Sequence, residues 1–162
     1  MAELVLPGFA IGMAGGVFIG ALGMLGGVSA GQALVATLVL GVPLGLCGAL
    51  YDALLSAGRM GIGTFAPAAI FWLLLFPVAR VLNETFSDVV AGNPVTFSGG
   101  VAGFLAYQAI LSMGYAIGFV FLHEQLAPLW WLRVRAHNPT VERLVERYLD
   151  HAAAVHGRRR RT

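Results

Sequence analysis

The sequence predicts an all-α integral membrane protein with four transmembrane helices, and three observations carry that prediction. Hydrophobic residues make up 58% of the 162-residue chain and charged residues only 11%, whereas a soluble domain carries roughly 25% charged residues because its surface faces water. Mean hydropathy is +0.80, and the apolar residues gather into stretches long enough to cross ~30 Å of hydrocarbon. Glycine, with 22 copies, is spaced as in helices that approach one another closely in lipid. At ~20 residues per crossing the chain has room for about four spans and a short tail, which excludes a large many-span transporter.

The spans are expected at about 4–28, 32–56, 62–82 and 97–122. Between the first two only Ser29, Ala30 and Gly31 are left for a turn, so these helices should form a tight antiparallel hairpin. Residues 57–61 make a second short turn. The third connection, 83–96, is longer, acidic through Glu84 and Asp88, and carries the turn dipeptides Ala91-Gly92 and Asn93-Pro94. The first span lacks a basic start and stays apolar well beyond the ~7–15 residues of a leader, so it is expected to remain in the protein.

Beyond the fourth span, residues 125–137 hold Pro128, Trp130, Trp131, Arg133 and Arg135, a pattern expected of an interfacial segment lying along lipid headgroups. Asn138-Pro139 then reads as a helix start, with Asn as N-cap and Pro at the first helical position. Val141, Leu144, Val145, Tyr148 and Leu149 follow at helical spacing, with Glu142, Arg143, Glu146, Arg147 and Asp150 on the other face. This predicts a cytosolic amphipathic helix at about 139–156, ended by Gly157 and followed by the basic tail Arg158, Arg159, Arg160 and Arg161. The chain thus divides into a transmembrane bundle, 1–124, and a peripheral part, 125–162.

Orientation follows from the arginines, since basic loops stay on the cytoplasmic side. All ten basic residues are Arg; Arg59 and the eight from Arg133 onward fall on one side of a four-span arrangement, with Arg80 alone on the other. Both termini are therefore expected in the cytoplasm, and the protein in a bacterial cytoplasmic (inner) membrane. The basic tail and the Trp130–Arg135 segment are expected to meet anionic lipid headgroups at ~1 kcal/mol per basic residue. No nucleic-acid partner is expected.

Lipid gives helices little hydrophobic reason to associate, so association depends on close backbone approach at positions without side chains. Gly8, Gly12, Gly16 and Gly20 recur every four residues, which marks the first helix as a packing surface along most of its length. Shorter pairs occur at Gly41 and Gly45 and at Gly114 and Gly118. The motif of two glycines followed by an acid, Gly41, Gly45 and Asp52, has a faint echo in Gly114, Gly118 and Glu124.

Ionisable groups in hydrocarbon cost several kcal/mol unless paired or close to the interface, so each is a candidate for function. Asp52, Arg59, His123 and Glu124 fall near one end of their spans and are expected to form a polar cluster, His123 and Glu124 emerging from the fourth span. Arg80 should pair with Glu84 one turn on. Tyr107, Gln108, Ser112 and Tyr115 supply the polar groups near the middle of the fourth span, where an interhelical hydrogen bond is their expected use. With a single cysteine, Cys47, no metal site, cofactor or catalytic constellation is legible.

These features predict a non-catalytic accessory subunit of a larger bacterial membrane complex. It would assemble with other membrane subunits or with itself through glycine-rich faces, and dock a partner on Val141, Leu144, Val145, Tyr148 and Leu149. The alternative is a small homo-oligomeric channel or transporter with an acidic cytoplasmic mouth at Asp52 or Glu124.

Overall fold

A computed structural model describes residues 1–90 and 92–159, with side chains up to 154. The elements in order are α1 (Ala2–Leu25), α2 (Ala30–Ser56), α3 (Phe65–Val90), α4 (Gly100–Val134), a 3-10 turn (Arg135–His137) and α5 (Pro139–Arg159). Among the described residues four helices are long and apolar enough to cross a membrane, and the chain is a multi-pass membrane protein. Their exposed faces are rich in Leu, Ile, Val and Phe, the composition of a surface in contact with lipid.

Local signals set the helix ends. Gly27 and Gly58 take left-handed backbone angles, and the amides of Val28 and Arg59 reach back to the carbonyls of Gly23 and Leu54, which closes α1 and α2 with a tight turn. Ser29, expected to be part of the loop, instead caps α2: its Oγ accepts from the Gln32 amide while Gln32 Oε1 accepts from the Ser29 amide. The third helix runs eight residues past the expected limit of 82, to Val90. Asn83 and Glu84, which look like loop residues in sequence, both hold Arg80 and so belong to the helix surface.

The four spanning helices alternate in direction, so the starts of α1 and α3 and the ends of α2 and α4 meet at one end of the bundle, the proximal end. The pairing of α1 with α2 is made by backbone. A methyl group at Gly8 would fall on the Gly48 carbonyl, one at Gly12 on the Leu44 carbonyl, one at Gly16 on Gly41, and one at Gly20 on the Thr37 side chain. Gly45 receives the Phe9 ring from the other side. On α4, by contrast, Gly114 and Gly118 have open space where a side chain would be.

α3 and α4 close the bundle with aromatic side chains. Trp72 lies edge-on to Phe71 and Tyr115, and Tyr51 of α2 meets Phe71, Phe119 and His123 edge-on. Such contacts add about 0.5–1.5 kcal/mol each beyond the area they bury.

The structure differs from expectation at the start of the peripheral part. α4 passes through residue 125 and Pro128 without a break and ends only at Val134. Burial explains this: Ala127, Trp131 and Val134 pack inward, and that packing outweighs the lost amide of Pro128. Trp131, expected among lipid headgroups, is fully buried, and Trp130 is half-buried. Both indoles serve α1. Pro7 has no N–H to give the Glu3 carbonyl, and Trp130 Nε1 supplies that donor at 2.8 Å. The Leu4 carbonyl, the acceptor Gly8 would serve in a regular helix, receives Trp131 Nε1 at 2.9 Å. Arg133 and Arg135 are exposed; of Arg158 and Arg159 only the backbone is described, and Arg160 and Arg161 lie outside the described residues.

α5 folds back onto the proximal end. Asn138 Oδ1 caps it at the Val141 amide, and Asn138 Nδ2 and His137 Nε2 hold the Glu3 carboxylate at 2.9 and 2.8 Å. Val141, Leu144 and Val145 are buried within the chain, so most of the face expected to receive a partner is already occupied by the bundle; Leu149 alone of the five is exposed. Arg147 reaches across to the Leu55 and Ser56 carbonyls at 3.0 and 3.2 Å, placing a cation at the negative end of α2 beside the Gly58 amide that Leu55 also accepts.

Replacing Gly12 by Leu is expected to destabilise the fold by about 3 kcal/mol, because the side chain meets backbone that cannot yield. Gly114→Leu should change monomer stability by no more than about 0.5 kcal/mol. Thermal unfolding of the two variants in the same detergent checks the contrast.

Candidate functional site

The site is built on Asp52, one turn before the end of α2. Gly8 and Gly48 let α1 and α2 touch there, and at that distance the Gly8 amide donates to Asp52 Oδ2 at 2.7 Å. From α4, His123 Nε2 meets Asp52 Oδ1 at 2.6 Å. Both residues are 0% exposed, so three helices converge on one carboxylate shut away from water. A carboxylate in such a place needs its lone pairs filled, since an unpaired buried charge costs several kcal/mol.

Aromatic rings wall the histidine. Phe119 stacks on it at 5.5 Å, while Tyr51 and Trp131 stand edge-on at 5.1 and 5.6 Å. Its second nitrogen, Nδ1, is buried and has no hydrogen-bond partner. The nearest carboxylate is Glu124, with Oε1 at 4.0 Å. Glu124 is partly exposed at the rim and accepts from Tyr148 Oη of α5 at 3.4 Å. Burial, and after it the Glu124 carboxylate, holds the Tyr148 phenol above its ordinary range, so the hydroxyl keeps its proton and can donate.

Of the four residues expected to cluster, Asp52 and His123 are in contact and Glu124 is adjacent. Arg59 lies apart, exposed in the turn after α2, with no ion pair among the described residues. His123, expected to emerge from its span, is instead enclosed, because α4 continues for three more turns and carries it inward. Sequence reasoning misses the Gly8 amide, Tyr51, Trp131 and Tyr148. The Pro7-Gly8 pair was a usable signal for a place where the α1 ladder opens to outside partners.

A second polar group lies toward the other end. Arg80 donates to Asn83 Oδ1 at 2.6 Å and to Gln108 Oε1 at 3.3 Å, and pairs with Glu84 at 3.5 Å. Ser112 turns back to its own helix, donating to the Ala109 carbonyl at 2.6 Å. Tyr107 is exposed, and Tyr115 Oη is buried without a partner. Beside Tyr115 an apolar cleft of about 350 Å³ runs between α1 and α4, lined by Ile11, Gly15, Phe18, Gly118, Phe119 and Leu122 among others. Among the described residues no group of three or more His, Cys, Asp or Glu side chains is placed to hold a metal ion.

Comparison with protein-family models, with curated proteins and with solved structures gives no match to this chain. Its functional reading therefore rests on the geometry of its own residues.

Truncating either partner of the buried pair, Asp52→Leu or His123→Leu, is expected to cost about 3 kcal/mol by stranding the other. The double variant should lose clearly less than the sum, since neither side chain then strands the other and the Gly8 amide, which loses its acceptor in Asp52→Leu already, is counted once. A double-mutant cycle by chemical unfolding in mixed micelles measures the coupling, and additive losses would show that the contact carries none.

Proposed function

We propose that this chain is a non-catalytic subunit of a larger bacterial membrane complex, joining its neighbours through the outer face of α4. One contrast supports the reading. Gly8, Gly12, Gly16 and Gly20 of α1 are consumed inside the chain, each facing α2, whereas Gly103, Gly114 and Gly118 on α4 face open space. A lipid-facing helix gains nothing from missing side chains, but a second helix can approach their backbone closely. Ile110 and Phe121 fall on the same face of α4 at helical spacing and are exposed, so small and bulky apolar positions alternate along it.

In this reading both termini lie on the cytoplasmic side of the inner membrane. Arg59 of the turn after α2 and the exposed Arg133 and Arg135 share the proximal end, and basic ends stay inside. Arg133 and Arg135 are then set at the height of anionic headgroups. The exposed Leu149 leaves α5 a small residual patch for a soluble partner.

A second reading, a small homo-oligomeric channel or transporter, draws support from the ionisable pair Asp52–His123 inside the bundle. Flux through proteoliposomes that is lost in Asp52→Asn would favour it.

Native mass measurement after gentle extraction tests the leading reading. The wild type is expected in species heavier than one chain, and Gly114→Leu with Gly118→Leu should shift it to the monomer without lowering its unfolding temperature. A wild type that is strictly monomeric and free of co-purifying protein would overturn the proposal.

A further inference from the structure

We propose that the Asp52–His123 pair is a proton-binding site inside the bundle, and that it exchanges its proton with the proximal end through Glu124. The geometry makes the pair a two-state unit. One hydrogen lies on the 2.6 Å line between His123 Nε2 and Asp52 Oδ1, and Asp52 Oδ2 is already taken by the Gly8 amide. The remaining place for a second hydrogen is His123 Nδ1, which is buried and has no partner. With Nδ1 bare the unit carries a net charge of −1, and with Nδ1 protonated it is neutral. A packed apolar wall of Phe119, Tyr51 and Trp131 favours the neutral state.

The entry path is short. Glu124 Oε1 stands 4.0 Å from Nδ1, so a side-chain rotation of ~1 Å brings it to hydrogen-bond distance. In the transfer the O–H bond of a protonated Glu124 breaks as an N–H bond forms at Nδ1. The imidazolium so made keeps its Nε2 hydrogen directed at the Asp52 carboxylate, and the Glu124 carboxylate regains its proton from water at the rim. The charged and titratable groups facing the pair are few: Tyr51 from α2, Glu124 from α4 and Tyr148 from α5. α1 contributes the Gly8 amide, and α3 contributes the Phe71 ring beyond Tyr51. Among these, Glu124 is the carboxylate placed to deliver a proton, and Tyr148 Oη steadies it at 3.4 Å. The inference does not depend on which neighbours the chain assembles with.

Nitrogen-15 spectra of histidine-labelled, full-length protein in lipid nanodiscs test it without any substitution. Between about pH 9 and about pH 5, the His123 Nδ1 resonance is expected to change in a single step from that of a bare nitrogen to that of a protonated one. A His123 resonance that keeps one tautomer and one protonation state across this interval would make the pair a structural pin and overturn the proposal. The route is tested by infrared detection after a pH jump. Glu124→Gln should slow protonation by about a hundredfold while leaving the end state unchanged, and Glu124→Asp should restore part of the rate. An unchanged rate in Glu124→Gln would overturn the path through Glu124.

Discussion

Where Gly8 of α1 meets Gly48 of α2 there is no side chain on either surface, and the position of Asp52 depends on that absence. With a Cβ at Gly8 or Gly48 the helices would have to separate. The Gly8 amide would then withdraw from Asp52 Oδ2, and the carboxylate would face His123 with half its lone pairs empty. Hydrocarbon offers no water to fill them. The close approach therefore does more than add dispersion contacts between two helices. It brings a backbone donor to a buried acid, and the acid in turn holds α4 in register with the α1–α2 hairpin.

The two glycine sets illustrate how far composition can be read without coordinates. The four-residue period of Gly8, Gly12, Gly16 and Gly20 is visible in sequence because a helix places such positions on one side. What they face is not visible, since the same period serves an internal neighbour or an external one. Long apolar spans are legible for the same reason that the ends of α3 and α4 are not. Hydropathy reports a lipid-facing surface, whereas Asn83, Glu84, Gln125 and Arg133 belong to helices held by packing, and local polarity hides their state. Trp131 shows the limit most clearly. A Trp-Trp-Leu-Arg run reads as a headgroup anchor, and only the two α1 carbonyls left open by the missing amide of Pro7 and by the Gly8 amide turned to Asp52, a hundred residues and more away in sequence, explain where both indoles bond.

Asp52 and His123 were legible as members of one polar cluster at the end of their spans, but not as the pair in direct contact within it. They lie 71 residues apart, and pairing them requires knowing that α1, α2 and α4 converge. Arg59 was expected in the same cluster. It fails because α2 ends at Ser56, and the left-handed turn at Gly58 carries the next residue outward.

Among the described residues the proximal end gathers most of the polar contacts between elements, and this decides where a buried proton would exchange with water. Arg80 near the other end is engaged with Asn83, Gln108 and Glu84, with no contact to Asp52 or His123 among the described residues. At the proximal end the Glu3 clamp on His137 and Asn138, the two indoles on α1, and Arg147 on the end of α2 fix α5 across the mouth of the bundle. That placement sets Tyr148 against Glu124, and Glu124 against the open nitrogen of His123. A displacement of α5 would therefore alter the approach to the pair before it altered the pair itself. The bundle supplies the buried site, and the helix folded over its end controls the access to it.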